Sequence, residues 1–173
     1  EVFFTQKNQE FNSLTHLKKT YPSLQWIVVC GGDGTLNTVV NAFYSFDDLQ
    51  FVFLPYGTVN IFAKENNYPK DRKKALEKIF LQGVKRQVFL GSAQNKQFLL
   101  MASVGFDGYL VQKVEQKGKK LGVFSYVFAF FRYIFSYDFS KTFDIIIDDK
   151  IHEQGSFIVV SNCQKYGGFL NFT

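Results

Sequence analysis

The sequence predicts an α/β protein with a parallel sheet in its first half and an antiparallel β-rich unit in its second half. Three observations support this prediction. Apolar strands and amphipathic helices alternate up to about residue 84, as in parallel sheets covered by helices. After residue 85, strands follow one another across polar turns, which is typical of antiparallel hairpins. A glycine-rich turn also joins an apolar strand directly to a helix.

Hydrophobic spacing defines the elements of the first half. It predicts strands at 1–5, 25–29 and 49–55, with helices over 9–20, 36–43, 61–66 and 70–82. The continuous apolar run QWIVV is typical of a strand in a sheet covered on both faces. The apolar face of the helix that follows it comprises Leu36, Val39, Val40 and Phe43. Gly83 ends the last of these helices, whose apolar face comprises Ala75, Leu76, Ile79 and Phe80.

The second half contains two predicted hairpins, with two helical stretches between them. The hairpins turn at residues 94–96 and 148–150, where polar residues interrupt apolar runs. This change of pattern places a domain boundary near residue 84, which gives an α/β domain over 1–84 and a β-rich domain over 85–173. Because the chain starts and stops abruptly within apolar segments, we expect it to be a piece of a longer protein that lacks both ends.

The composition narrows the class of partner. The 173 residues are 46% hydrophobic and carry a net charge of +5, so the chain can bury a core and favours anionic partners. It shows no arginine-rich arm, zinc-ligand spacing or RNA-binding aromatic motif, so we predict no nucleic acid partner. Cys30 and Cys163 form no disulfide framework and favour a reducing compartment. Since Cys30 lies within an apolar strand, we expect it to be a small core residue.

The stretch Gly31-Gly32-Asp33-Gly34-Thr35 follows an apolar strand and opens a helix. Backbone N–H groups at a helix N-terminus bind anions, and glycine lets a phosphate approach the backbone closely. The Thr35 hydroxyl can cap the helix or bind a phosphate oxygen. Asp33 repels a phosphate unless it acts through Mg²⁺, a ribose hydroxyl or a capping role. A tight turn in which Asp33 caps the helix is the alternative interpretation.

A second loop, LPYGTVN over 54–60, also ends a strand with proline, glycine, threonine and asparagine. A plain turn explains it equally well when it is taken alone. In a parallel sheet, however, loops that follow successive strands gather at the carboxyl edge, where ligands bind. The two loops therefore predict one shared phosphate site, and Thr5, at the end of the first predicted strand, can reach the same edge.

Taken together, these stretches resemble the diacylglycerol kinase catalytic-domain family, which includes bacterial lipid kinases and the sphingosine and ceramide kinases. The resemblance rests on VVCGGDGTLNTVVNAF and FLPYGTVNIFAKE, and FLLMASVGFDGYLVQKV, KKLGVFSYVFAFFRYIF and FIVVSNCQKYGGFLNFT agree with it. It implies an ATP-dependent lipid kinase with a three-layer α/β nucleotide domain and part of an antiparallel β-sandwich domain. In that family the lipid, diacylglycerol- or sphingosine-like, binds between the two domains.

The resemblance also implies roles for individual residues. Contacts to ATP are implied for Thr5, Gly31, Gly32, Asp33, Gly34, Thr35, Leu36, Asn37, Gly57 and Thr58. Asn60 is expected to organise the second loop and to belong to the same nucleotide site. Mg²⁺ is expected to offset the phosphate charge during transfer. The metal ligands themselves are not identified by the sequence.

The sequence departs from the family in four places. The opening strand and its Asn-Pro loop are absent, Ile61 stands where many members have Asp, and Thr38 where many have Glu. The family's general base lies in an Asp-Gly segment that would fall beyond Thr173, so Asp33 is only a fallback for that role. Asp107, within GFDG, is expected to be structural.

Residues 122–137 form an aromatic helical pattern that is too short to span a bilayer and has Arg132 near its centre. One interpretation is a helix packed on the β-rich unit or on a partner subunit, which leaves a homodimer open. The other is a helix that dips into an anionic membrane surface, assisted by Lys117, Lys119 and Lys120.

Two alternatives to a lipid kinase remain from the sequence. An NAD kinase-like enzyme with a soluble substrate shares the first loop but has a later Asn-Glu motif that this chain does not match well. A catalytically incomplete fragment that binds nucleotide or lipid is the non-enzymatic alternative. The resemblance implies a cytoplasmic protein with peripheral membrane contact.

Overall fold

A computed structural model describes residues 12–69, 71–83, 85–117, 123–166 and 170–171. Contacts divide the chain into two compact units, of which the first comprises residues 1–100 with 162–173 and the second comprises residues 101–161. Several parts of the predictions lie outside the described residues, namely the strand at 1–5 with Thr5, the start of the helix at 9–20, and the segments at 118–122 and 167–169.

Up to residue 82, the described elements of the first unit follow the predicted order. Its elements are α1 (Asn12–Thr20), β1 (Trp26–Gly31), α2 (Asp33–Phe43), β2 (Gln50–Pro55), α3 (Ile61–Glu65), α4 (Arg72–Gln82), β3 (Gly91–Ala93), β4 (Lys96–Phe98), β9 (Lys165–Tyr166) and β10 (Leu170–Asn171). Strands β1 and β2 are parallel, with Trp26 opposite Gln50 and Gly31 opposite Pro55. The carboxyl ends of both strands therefore lead into the glycine-containing turns.

The core of the first unit lies between α2 and one face of the strand pair. All four residues of the predicted helix face are buried, and Phe43 is the most buried of them at 1% exposure. They pack with Val29 and Phe53, which are opposite each other in neighbouring strands. Because helical spacing keeps these side chains on one side of α2, the predicted face is confirmed.

The other face of β1 is exposed in the described structure. Successive side chains of a strand point to opposite faces, so Val29 is buried whereas Trp26 and Val28 are each about half exposed. Cys30 shares their face and is exposed. The prediction that β1 is covered on both faces is therefore wrong here, and so is the assignment of Cys30 to the core.

Helix α4 forms as predicted, but its predicted apolar face is only partly buried. Ala75 is buried, whereas Phe80 is 63% exposed. Asp71 caps the helix, since its carboxylate accepts a hydrogen bond of 2.9 Å from the Lys74 N–H. The helix ends at Gln82, and Gly83 follows it as predicted.

Two asparagines, one helical turn apart, attach α2 to β4. The Asn41 side chain donates to the Gln97 carbonyl at 2.7 Å and accepts from the Gln97 N–H at 2.8 Å. Asn37 Oδ1 accepts from the Leu99 N–H at 3.1 Å. The β3–β4 hairpin consequently lies in the first compact unit, while the domain boundary near residue 84 stays a prediction.

The described part of the second unit contains two antiparallel strand pairs and two helices. Its elements are β5 (Met101–Gly105), α5 (Phe106–Lys117), α6 (Val123–Tyr133), β6 (Phe143–Ile147), β7 (Ile151–Gly155) and β8 (Phe157–Ser161). The predicted turns at 94–96 and 148–150 are both confirmed, by the β3–β4 and β6–β7 pairs. Strand β5 pairs with β8 over its whole length.

The first predicted hairpin is shorter than its apolar run suggested. The apolar run that follows the turn is divided between two strands, because β4 ends at Phe98 and β5 begins at Met101. The backbone between them has other partners. The Leu99 N–H binds the Asn37 side chain, and the Leu100 carbonyl accepts from the Asn162 N–H at 2.6 Å.

Helix α6 packs on α5 through a small residue. Ala129 is buried with Phe106, Leu110 and Val114. Three phenylalanines on the opposite side are largely exposed, namely Phe128 at 66%, Phe131 at 67% and Phe135, in the turn after the helix, at 93%. Arg132 is also exposed. The predicted helix packing is thus present on one side of α6, and the aromatic face, defined as Phe128, Phe131 and Phe135, is uncovered.

We expect the Phe43→Ala substitution to lower the free energy of unfolding by about 3–5 kcal/mol, because it leaves a cavity beneath α2. Chemical denaturation would measure the change. Phe89→Ala serves as the matched control, since Phe89 is 75% exposed and its removal should cost less than about 1 kcal/mol. Equal destabilisation by the two substitutions would contradict the position of the core.

Candidate functional site

The two glycine loops lie side by side at the carboxyl end of the strand pair. We define the first glycine loop as residues 31–35 and the second as residues 55–60. Their strands are hydrogen-bonded neighbours, and the ladder continues into the loops because the Tyr56 N–H donates to the Gly31 carbonyl at 2.8 Å. The structure therefore brings together the two loops that the sequence expected to share a site.

The two loops approach each other backbone to backbone at Gly32 and Gly57. A Cβ atom added to Gly57 would lie 2.4 Å from the Gly32 Cα, and one added to Gly32 would lie 3.1 Å from the Gly57 Cα. A side chain at either position would force the loops apart. These two glycines are therefore required by the close approach of the loops and not by a left-handed backbone.

Helix α2 begins at the first glycine loop without a side-chain cap. Gly32 occupies the N-cap position in an extended conformation, and no side chain accepts a hydrogen bond from the helix start there. The first N–H groups of an α-helix have no partner within the helix. Together with the positive end of the helix dipole, these donors make the start of α2 suited to an anion.

The Thr35 side chain lies over Gly31, because a Cβ atom added to Gly31 would be 2.7 Å from the Thr35 Oγ1. Gly34 is different, since nothing lies within 4 Å of a Cβ added to it. The first loop is thus closely packed at Gly31 and Gly32 and open at Gly34. Thr58 in the second loop is exposed.

Asn60 closes the second glycine loop on itself. Its Oδ1 accepts from the Gly57 N–H at 3.0 Å, and its Nδ2 donates to the Gly57 carbonyl at 2.8 Å. The residue has a φ of 50°, in the left-handed region that asparagine tolerates better than most residues. The side chain therefore shapes the second loop, and its part in a nucleotide site stays a prediction.

The Asp33 carboxylate binds the first turn of α3 and not the start of its own helix. Its Oδ2 accepts from the Ile61 N–H at 2.9 Å and its Oδ1 accepts from the Phe62 N–H at 3.1 Å. Both donors are backbone groups at the positive end of α3, where a carboxylate is favoured. This geometry explains how an acidic side chain is accommodated within the first glycine loop.

Two further predicted nucleotide residues have structural partners. Leu36 is buried in the core beneath α2. The Asn37 Oδ1 accepts from Leu99, on the β4 side of the helix. Their predicted contacts with ATP stay predictions, and Thr5 lies outside the described residues.

No group of three histidine, cysteine or acidic side chains that could hold a metal ion occurs in the part of the chain that the structure describes. Asp33 is the acidic residue of the first loop, and both of its oxygens already accept hydrogen bonds. The described residues therefore do not fit a resident metal site.

Sequence reasoning missed the partners of Asp33 and the role of Asn41. The Asp33 partners are main-chain donors, which every non-proline residue possesses, so no residue type marks them. Asn41 lies one turn after Asn37, and that spacing is the only sequence signal for a polar contact on this side of α2.

A cationic and aromatic group lies behind the second loop, at the end of α3. Arg86 Nη1 donates to the Asn66 Oδ1 at 3.1 Å. Burial raises the pKa of the nearby Tyr68 phenol, and the charge of Arg86 opposes that rise. Tyr68 also packs near the Phe53 ring, so this group supports α3 from the core side.

The fold and the paired loops define an α/β protein with two glycine loops side by side at the carboxyl end of a parallel strand pair. Comparison with known families agrees, since the diacylglycerol kinase catalytic domain model matches residues 1–93. That match covers more than half of the 173 residues. The chain belongs to the diacylglycerol kinase catalytic-domain family.

Curated relatives carry lipid kinase names. A probable lipid kinase YegS-like from Pseudomonas syringae pv. tomato is 36% identical over 105 residues, which cover 60% of this chain and 34% of the relative. A diacylglycerol kinase from Staphylococcus carnosus is 30% identical over 108 residues, which cover 62% of this chain and 34% of the relative. The chain thus matches about a third of the length of these relatives.

Solved structures share the fold. A diacylglycerol kinase from Bacillus anthracis Sterne aligns with a TM-score of 0.65 at 20% identity, over 95% of this chain and 54% of the solved chain. A putative diacylglycerol kinase from the same strain aligns with a TM-score of 0.68 at 20% identity, over 94% and 56% of the two chains. The predicted α/β fold class is therefore confirmed.

We expect Gly57→Ala to destabilise the protein by about 1–3 kcal/mol, because its methyl group would collide with the Gly32 backbone. Gly34→Ala is the matched control. Its methyl group meets nothing within 4 Å, and alanine should stabilise the first turn of α2 by about 0.5–1 kcal/mol relative to glycine. Thermal unfolding of both variants would measure the difference. A stable Gly57→Ala variant would refute the close approach of the loops.

Proposed function

We propose that this chain supplies the nucleotide-binding part of an ATP-dependent lipid kinase, which transfers the γ-phosphate to a lipid hydroxyl. The observation that carries the proposal is the approach of Gly32 to Gly57 beside the uncapped start of α2. This arrangement places the second loop beside the backbone donors that open α2, at one edge of the sheet. Membership in the diacylglycerol kinase family and the names of the relatives support the same class of reaction.

In this proposal the nucleotide phosphates bind to the N–H groups that open α2. The absence of a Cβ at Gly34, where the space is open, lets phosphate oxygens come close to the backbone, while Gly32 leaves room for Gly57. The hydroxyls of Thr35 and Thr58 supply further donors from the two loops. Such preorganised donors contribute most when charge develops on the transferring group, since they need not reorient during the reaction.

The phosphate donor is proposed to be ATP with Mg²⁺ bound to its phosphates, where the ion would offset the phosphate charge. Transfer also requires a group that orients or deprotonates the lipid hydroxyl. We assign that role to no described residue. Asp33, the fallback from the sequence, already binds the Ile61 and Phe62 amides.

The lipid substrate is proposed to be diacylglycerol- or sphingosine-like, and to be reached at an anionic membrane surface. No helix among the described residues is both long enough and apolar enough to cross a bilayer. The uncovered aromatic face of α6 is suited to shallow insertion, because its exposed phenylalanines recur at intervals of three and four residues. Arg132 is exposed on the same helix, and the sequence places Lys117, Lys119 and Lys120 just before it.

Transfer of ³²P from [γ-³²P]ATP into a mixed-lipid extract would test the proposed reaction, with Mg²⁺ present and the protein at its natural length. We expect a labelled lipid, whose chromatographic identity names the substrate. Gly57→Ala should reduce the labelling because it separates the loops, whereas Asp47→Ala, an exposed change outside them, should not. ATP binding without any labelled lipid would overturn the lipid kinase proposal, and labelling of NAD instead would favour the NAD kinase-like alternative.

Sedimentation with phosphatidylcholine vesicles, with and without phosphatidylglycerol, would test the proposed membrane contact. We expect the double substitution Phe128→Ser and Phe131→Ser to weaken binding to the anionic vesicles at least about tenfold, since two apolar side chains no longer enter the bilayer. Phe80→Ser is the matched control, because Phe80 has similar exposure on α4. Unchanged binding by the double variant, with loss of a dimer in analytical ultracentrifugation, would assign the face to a second copy of the chain.

A further inference from the structure

We infer that Asp33 is a positioning residue that couples the two glycine loops, and that it acts neither as the general base nor as a metal ligand. The inference rests on the proposed function for its effect on ATP, because coupling matters only if the loops bind phosphate. It goes beyond that function by giving the carboxylate of the first loop a specific role, which is to hold the second loop in place through the Ile61 and Phe62 amides.

The Asp33 carboxylate is directed to a different element from the one that contains its backbone. Asp33 is the first residue of α2, so its backbone belongs to the start of the helix that faces the proposed phosphates. Its two oxygens, in contrast, accept from the Ile61 and Phe62 amides at 2.9 and 3.1 Å. One residue thus has its main chain in the first loop and its side chain on the element that follows the second loop.

The second loop and α3 are weakly stabilised by their own contacts. Helix α3 has only five residues, and helices this short are unstable without tertiary support. Among the described residues, the Asn60 side chain bonds to Gly57 of its own loop and to no residue of the first loop, so it fixes the shape of the second loop but not its place. The Asp33 carboxylate supplies a direct side-chain link from the start of α2 to the start of α3.

The position of Gly57 depends on its contact with the first loop. The Gly32 and Gly57 backbones are in contact, and Asp33 directly follows Gly32. The contact between the glycines and the bonds from Asp33 to α3 therefore enclose residues 57–62 from both ends. Loss of the carboxylate should release the second loop and, with it, the alignment of Thr58 with the first loop.

The identity of residue 61 fits this role. The bond to Asp33 uses the backbone N–H of Ile61, which is present for any residue except proline. The coupling therefore does not need the aspartate that many family members have at this position.

Three variants test the inference in the protein at its natural length. Asp33→Ala removes both acceptors. Asp33→Asn keeps one acceptor and places an NH₂ group against the other amide. Asp71→Ala is the matched control, because Asp71 caps α4 through the Lys74 amide and has no bond to either loop.

Hydrogen exchange of residues 57–63 reads the coupling directly and needs no nucleotide. We expect exchange to be about tenfold faster in Asp33→Ala, which corresponds to the loss of a helix cap, and unchanged in Asp71→Ala. Unchanged exchange in Asp33→Ala would overturn the inference.

Steady-state kinetics with MgATP separates positioning from catalysis. We expect the KM for ATP to rise about tenfold in Asp33→Ala, with kcat retained within about threefold, and an intermediate KM in Asp33→Asn. If Asp33 were the general base, both variants would lose about 10²–10⁴ in kcat with KM unchanged. That result would overturn the inference. If the wild-type protein does not bind MgATP, the proposed function fails, and the exchange measurement alone decides whether Asp33 couples the loops.

Discussion

The parallel pairing of β1 with β2 is the constraint on which the site depends. Because Gly31 lies opposite Pro55, the two strands stop at the same level and release their loops side by side. The loops are then close enough for Gly32 and Gly57 to meet through their backbones. A shift of the register by one residue would separate these glycines and would also turn the Phe53 side chain, which lies opposite Val29, out of the core. Core packing and loop alignment are therefore fixed by the same interaction.

Helix α2 connects this strand pair to most of its surroundings. Its apolar side buries Phe43 over the sheet, and its first residue, Asp33, reaches α3. Asn37 and Asn41 attach a third side of the helix to the backbone around β4. Apolar packing and side-chain hydrogen bonds thus hold the start of the helix in place from several directions.

Much of this arrangement could be predicted from the sequence. Helical periodicity identified the buried side of α2, since side chains at three- and four-residue spacing must share a face. Two similar loops after neighbouring strands indicated one edge of the sheet, and the structure brings them together. The turn residues at 148–150 marked the second hairpin correctly, and Asp148 and Asp149 do adopt positive φ angles there.

What could not be predicted involves partners that carry no residue-type signal. The amides that bind Asp33 and the carbonyl that binds Asn41 belong to the main chain, so sequence patterns do not show them. Burial on the second face of β1 was also misjudged. An apolar run records that a face can be covered, but Cys30 and Val28 show that coverage depends on what packs there.

The chain passes from the first compact unit to the second and back through neighbouring residues. The Asn162 N–H donates to the Leu100 carbonyl, and its side chain donates to the Phe89 carbonyl at 2.6 Å, so the exit and the return are joined. Residues 101–161 are therefore topologically an insertion whose two ends meet. Such an insertion can change in length and sequence during evolution without interrupting the elements that carry the glycine loops. The inserted segment can therefore diverge while the glycine loops stay the same.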